Sequence, residues 1–229
     1  ALDDMRPFVG EGTIIVPLLN GISATPTLRA AFPQARVLFG IAMGIDARRT
    51  INAVDFTTRG VLQFGWERNA EPYAPEVEQV RQILSRTPIP LEIAADMERT
   101  IWKKFMLNVG YNQVTAAVDC FIYECSEVEN YFRLASAAMQ EVVELAKARG
   151  VDLTEADREE TERFMAAFPR TAQTSMHQDI KAGRITEVDY FAGIVEEYGA
   201  AAGVPTPINS VLREIIHGKE RQNQLKNQQ

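Results

Sequence analysis

The sequence predicts two fold classes in succession: an α/β portion over residues 1–95 and an all-α helical bundle over residues 96–218, ending in a polar tail at 219–229. Two observations carry this reading. In the first 95 residues, short apolar runs of strand length alternate with helical patterns, and Pro88 and Pro90 then interrupt both. Beyond residue 96 nearly every segment has helical periodicity, and start and stop signals recur at helix-length intervals.

The elements follow in order. Thr13 to Leu19, Arg36 to Gly40 and Val61 to Gly65 are apolar runs expected as strands. Pro75 suits a first helical turn, and the pattern it opens runs to about Ser85. Pro88 and Pro90 precede the short run Leu91-Glu92-Ile93, so residues 86–96 are the expected domain junction. Ile101 to Asn112 is helical and mostly apolar or aromatic. Ser126 with Glu129 forms a capping-box pattern before a long amphipathic stretch that stops at Gly150, and Thr154 with Asp157 opens another that ends before Pro169. Ser175 with Gln178 starts a short helix ending near Gly183. Thr186 with Asp189 opens one that reaches about Ala202, with Gly203 and Pro205 as its stop, and Pro207 begins the last helix. The tail has almost no apolar content and is expected to be frayed or disordered. No internal repeat is present.

Composition limits the partners. Lys and Arg number 24 against 31 Asp and Glu, a net charge of −7, which argues against a nucleic-acid footprint. With 229 residues and 46% hydrophobic content, the chain can bury one large core or two modest ones. No run approaches the roughly 18 apolar residues of a membrane helix, and Ala1 to Arg6 lacks the basic and apolar regions of a signal peptide. A soluble, cytoplasmic protein with no membrane partner is expected. Cys120 and Cys125 would face different sides of a continuous helix, so a structural disulfide is not expected. The two histidines, His177 and His217, lie far from both cysteines in sequence, and no metal site is expected.

The candidate site begins with Lys104, Asn108 and Asn112. Spaced four residues apart on one helix, they stack a cation and two carboxamides on a single face embedded among apolar neighbours. That face suits a small polar molecule. The alternative is structural: Lys104 snorkels from the rim and the asparagines satisfy nearby backbone carbonyls.

Three motifs in order then carry a resemblance. Ile101-Trp102-Lys103-Lys104 through Asn108 to Asn112-Gln113-Val114-Thr115-Ala116, the Leu19-Asn20-Gly21 turn, and Ser175-Met176-His177-Gln178-Asp179 through Arg184 to Tyr190 resemble ketopantoate reductase, also called 2-dehydropantoate 2-reductase. Gly199 to Pro207 is similar to that family's usual ending, so the resemblance spans essentially the whole chain. It implies a Rossmann-like NADP-binding portion before the helical substrate domain, and NADPH-dependent reduction of 2-dehydropantoate to pantoate for pantothenate and coenzyme A synthesis. Lys104 aligns with the family's catalytic lysine, thought to protonate the carbonyl oxygen, a role favoured when partial burial lowers its pKa. Glu187 aligns with the acidic residue that contacts the substrate hydroxyl or orients the lysine; the alternative is a first-turn glutamate favoured by the helix dipole. Asn108, Asn112 and Ser175 would hold substrate oxygens, although a serine at that position also suits a helix cap. Asn20 would sit at the carboxyl edge of the sheet at the cofactor, where its plain alternative is an Asn-Gly turn.

The chain also departs from the family pattern. No G-x-G-x-x-G loop occurs in it, and Gly10-Glu11-Gly12 leads into a strand when it should follow one. The first residues resemble the helix that precedes the Leu19-Asn20 strand, so the expectation is a fragment, inactive alone, whose uncovered edge and apolar face invite homodimer formation. Leu19 and Gln113 stand where a polar residue and a proline are frequent. Two other readings stay open: a related NAD(P)-dependent reductase of another 2-keto acid, and a non-enzymatic helical interaction module.

Overall fold

In the computed structural model, residues 2–45, 48–49, 52–56 and 58–226 are described. The chain divides into two compact units, Ala1–Ile101 and Trp102–Gln229.

The first unit opens with helix α1 (Leu2–Met5), a 3-10 turn (Arg6–Phe8) and strand β1 (Ile14–Ile15). Helix α2 (Ala24–Ala31) leads to β2 (Arg36–Val37), which pairs parallel to β1, with Leu38 N–H donating to the Ile15 carbonyl oxygen at 2.9 Å. Side chains alternate across an extended backbone, and the two cores divide accordingly. Ile15 and Val37 pack with Leu28 and Phe32 around α2. Ile14, Val16 and Leu38 pack with Phe64, Val77 and Val80. The last two belong to α3 (Pro75–Leu84), whose N-terminal proline and extent match the sequence expectation. Strands β3 (Phe39–Ile45) and β6 (Arg59–Gly65) pair antiparallel, β7 (Leu91–Glu92) joins β6 in parallel, and β4 (Arg48–Arg49) with β5 (Val54–Asp55) forms a separate hairpin. This portion is α/β, with its longest ladder antiparallel.

Helix α4 (Met97–Leu107) crosses the boundary between the units, and the remainder is helical. A π-turn (Asn108–Asn112) separates α4 from α5 (Gln113–Val118). Then come α6 (Ile122–Glu127), α7 (Glu129–Ala148), α8 (Glu155–Ala166), α9 (Ser175–Lys181), a second π-turn (Asp189–Gly193), α10 (Ile194–Ala202) and α11 (Pro207–Lys226). Gly110, in the first π-turn, lies so close to α7 that a Cβ there would collide with Met139 and sit 3.1 Å from the Ala135 carbonyl oxygen. The turn is consequently buried throughout. Gly150 and Gly203 supply the positive φ, +76° and +68°, that ends α7 and α10 where the sequence places their stops.

Several expectations are corrected. Thr154 and Asp157 do form a capping box, but Ser126 lies inside α6, its hydroxyl donating to the Ile122 carbonyl oxygen at 3.2 Å. At the start of α6 Glu124 accepts from the Phe121 N–H at 2.8 Å, a single bond, since the Phe121 side chain has no acceptor to return one. The helix carrying the cysteines is not continuous: Asp119 takes φ 56° and ends α5. Both thiols are buried and free.

The polar segment from Lys219, expected as a frayed tail, continues α11 to Lys226; residues 227–229 lie outside the described part. Its polar groups are spent on other helices. Lys219 Nζ donates to the Ala116 and Ala117 carbonyl oxygens at 2.8 and 3.0 Å, closing the C-terminus of α5. Asn223 Nδ2 does the same for Ile180 at 2.8 Å. Low apolar content signals disorder only when the polar groups have no partners in the fold.

Candidate active site

The first π-turn sets the site. A π-turn is wider than an α-turn and frees backbone carbonyls that side chains must then satisfy. Gln113 Nε2 donates to the Val109 carbonyl oxygen at 2.7 Å, and Thr115 Oγ1 to that of Tyr111 at 2.7 Å. Gln113, where the family pattern frequently has a proline, thus joins Thr115 in holding the turn open. It is itself held by Asn209 Oδ1 at 2.9 Å, and Asn209 Nδ2 donates to Glu141 Oε2 at 2.7 Å.

This support keeps the two asparagines together across the turn. Asn112 Nδ2 donates to Asn108 Oδ1 at 3.3 Å and to Ser175 Oγ at 3.4 Å. Asn108 and Asn112 are 5% and 6% exposed, whereas Ser175 is exposed, so the row runs from the interior to the surface. Asn108 Nδ2 is buried with no partner among the described residues, and neither carboxamide is spent on a backbone carbonyl there. The hydrogen bonds of this pair thus run to each other and to Ser175 and not, as the structural alternative has it, to backbone carbonyls. A buried amide donor left open costs about 1–3 kcal/mol, which a ligand oxygen would recover.

Ser175 is also released from its alternative role. The N-cap of α9 is Thr174, whose hydroxyl accepts from the His177 N–H at 3.2 Å and lies 2.7 Å from Thr115 Oγ1. That threonine pair joins α9 to α5 and seats Ser175 beside Asn112. His177, only 1% exposed, places Nε2 2.7 Å from Asp119 Oδ1 and stacks edge-on against Phe121. Its hydrogen bond holds the Asp119 carboxyl below the usual range. Sequence reasoning considered His177 only as a metal ligand and missed this role. The available signal was a threonine immediately before Ser175.

Lys103 and Lys104 separate by role. Lys103 Nζ pairs with Glu160 at 2.7 Å and Asp157 at 3.5 Å on α8. Lys104 is half-buried, and desolvation lowers its pKa from 10.5, while the negative charge of Glu187 acts in the opposite sense. Phe105 contacts Phe191 of the second π-turn with ring centroids 6.3 Å apart, which packs α4 beside the segment bearing Glu187. Glu187 is half-buried and precedes the helical residues, which begin at Val188. Asp189, expected to cap that helix, instead pairs with Arg213 at 2.7 Å. The charge of Glu187 thus acts on Lys104, and hydrogen bonds join Asn108, Asn112 and Ser175.

Asn20 belongs to the other unit. It lies in the bend between β1 and α2, followed by Gly21 at φ +87°. Among the described residues no group of His, Cys, Asp or Glu could hold a metal ion, and no helix is long and apolar enough to cross a membrane.

The comparisons with known proteins bear on this geometry. The family described as "Ketopantoate reductase PanE/ApbA C terminal" matches residues 96–220, and "Ketopantoate reductase PanE/ApbA" matches residues 1–68. A 2-dehydropantoate 2-reductase of Streptococcus pyogenes serotype M6 is 27% identical over 223 residues, covering 96% of this chain and 71% of the relative. Among solved structures, D-mandelate dehydrogenase with NADH and anilino(oxo)acetate superposes with a TM-score of 0.86 at 22% identity, covering 97% of this chain and 72% of the other. The dimeric ketopantoate reductase of Staphylococcus aureus gives 0.82 at 18%, covering 97% and 74%. The helical match alone takes in more than half of the residues, including every site residue named here except Asn20, and with the second match upstream the chain belongs to the ketopantoate reductase family.

Proposed function

We propose that this chain carries the proton-donating and substrate-holding part of an NADPH-dependent reductase that converts 2-dehydropantoate to pantoate. The observation that carries the reading is the pairing of a half-buried lysine of lowered pKa with a buried carboxamide whose donor is open. A 2-keto acid presents a carbonyl oxygen that needs a proton and further oxygens that need hydrogen-bond donors. In the proposed mechanism the Lys104 ammonium donates to the carbonyl oxygen as charge develops there, and its partial desolvation eases release of the proton. Glu187 holds the ammonium in place and limits the drop in its pKa. Asn108 Nδ2, Asn112 and the Ser175 hydroxyl take the substrate's hydroxyl and carboxylate oxygens.

NADPH, when bound, supplies the hydride. Asn20 and the positive-φ Gly21, in the bend that lies between β1 and α2, would meet one end of that cofactor, since open α/β sheets hold ligands beyond the carboxyl ends of their strands. A glycine-rich pyrophosphate loop is not found in the 229 residues, and we propose that they are inactive without one. A homodimer and a cytoplasmic location remain part of this reading, the first supported by the likeness to a dimeric reductase.

The test is NADPH oxidation with 2-dehydropantoate, by this chain and by one extended upstream with a glycine-rich strand and turn. Activity only in the longer protein supports the proposal. Inactivity of a folded, cofactor-binding longer protein would remove 2-dehydropantoate as substrate. The likeness to D-mandelate dehydrogenase favours a second reading, an aryl 2-keto acid reduced by NADH, and phenyl-substituted 2-oxoacetate in the same assay checks it. Within the first reading, Asn108→Ala in the longer protein should raise the KM for the keto acid about 10-fold to 100-fold, as for the loss of one buried hydrogen bond. A KM within twofold of the parent would take Asn108 out of the site.

A further inference from the structure

Glu187 stands on the segment between α9 and the second π-turn, just ahead of its first helical residue. What fixes that segment is a side chain from α11. Glu220 Oε1 accepts from both the N–H and the hydroxyl of Thr186, each at 2.7 Å. Thr186 Oγ1 in turn accepts from the Val188 N–H at 3.2 Å, so the bonded groups bracket Glu187 from both sides. The other carboxylate oxygen, Oε2, lies 3.1 Å from His217 Nδ1, and His217 Nε2 lies 3.1 Å from Asp189 Oδ1. Asp189 also takes Arg213, whose guanidinium reaches Glu196 at 2.6 Å. Both the residue before Glu187 and the residue two positions after it are therefore anchored to α11.

Glu220 is only 6% exposed. Burying a carboxylate is costly unless donors surround it, and here those donors are Thr186, the immediate neighbour of Glu187, and His217. Bonds to a charged acceptor are shorter and stiffer than neutral ones. They would hold a backbone turn within the tolerance that proton transfer requires.

We propose that Glu220 is a positioning residue for Glu187, gripping Thr186 so that the segment bearing the Glu187 carboxylate keeps the place from which it acts on Lys104. This rests on the reading of Glu187 as the group that acts on Lys104. Glu220 itself touches neither substrate nor reacting atoms.

The test is a double-mutant comparison in the active, upstream-extended enzyme. Glu220→Ala should lower kcat about 10-fold to 100-fold in the parent, the scale of a displaced catalytic group, and by less than about twofold in a Glu187→Ala background, because nothing remains to be positioned. Glu220→Gln keeps an acceptor oxygen for Thr186 and should stay within about threefold of the parent. Amide exchange at Thr186, measured on the folded protein, should accelerate in Glu220→Ala and stay slow in Glu220→Gln. An equal loss in both backgrounds, or unchanged exchange at Thr186, would overturn the proposal. If Glu187→Ala alone keeps parental turnover, the underlying reading of Glu187 falls and takes this proposal with it. That failure is recognisable because it appears in the Glu187 variant before Glu220 is touched.

Discussion

Lys104→Ala is expected to lower kcat of the upstream-extended enzyme by at least about two orders of magnitude while leaving cofactor affinity nearly unchanged, as for loss of a general acid. The magnitude follows from the site. Lys103, the neighbouring cation, is tied to Glu160 and Asp157 and cannot substitute. Near-parental turnover would remove Lys104 from the mechanism. The same residue sets the sign of two pH effects. A general acid must be protonated, so the rate should fall as pH rises through the folded pKa of Lys104, which burial places below 10.5, and this alkaline limb should vanish in the alanine variant. Stability should move the other way. Because the folded pKa lies below the unfolded one, the unfolded chain binds more protons between the two values, and stability rises with pH across that window. Below the folded pKa the cost of the buried ammonium is present in full. Lys104→Met should therefore be more stable than the parent at neutral pH, with that part of the slope gone, so the lysine is kept for chemistry at the expense of the fold.

Glu141→Ala is expected to destabilise the helical unit by about 3 kcal/mol, through lost capping and orphaned buried donors. Glu141 is 8% exposed and accepts from the Ile208 N–H at 2.7 Å, the Asn209 N–H at 3.0 Å and Asn209 Nδ2 at 2.7 Å. It thus caps α11 from α7, placing a negative charge at a helix N-terminus. Removing it takes an acceptor from the Ile208 and Asn209 N–H groups and from Asn209 Nδ2, which keeps only a 3.3 Å bond to the Ala138 carbonyl oxygen, and so loosens the residue that holds Gln113, the prop of the first π-turn. Thermal unfolding followed by circular dichroism should show a fall of roughly 10 °C for a unit of this size. Glu141→Gln, which keeps one acceptor oxygen, should lose about half as much. An unchanged midpoint for the alanine variant would mean that α11 is capped by other means. The loss should also reach the site, because Asn108 and Asn112 lie in the turn that Gln113 supports.

Much of this was legible beforehand because it is local. The α/β character of the first part follows from short continuous apolar runs such as Ile14 to Val16, whose alternate side chains do enter two separate cores. The proline of α3 and the glycines after α7 and α10 act at their own backbone positions, so their signals needed no partner. Asn108 and Asn112 were legible as neighbours, since the hydrogen bond between them shows that four-residue spacing survives one wider turn. The failures are those of groups with competing partners. Ser126, Ser175 and Asp189 each match a capping pattern, yet Ser126 bonds back within α6, Thr174 caps α9, and Asp189 is taken by Arg213.

What the sequence by itself determined is the order of the fold classes, most helix boundaries and the identity of the polar row, because these depend on periodicity and on residues within a turn or two of one another. Only the tertiary structure decided that the row contains a π-turn, that Gln113, Asn209 and Glu141 sustain it, and that the polar segment after Gly218 is an ordered helix anchoring Thr186 beside Glu187. The reason is physical. A hydrogen bond between residues some 30 to 100 positions apart leaves no periodic trace in the chain, and the competition among donors for one carboxylate is settled only when packing brings them within about 3 Å.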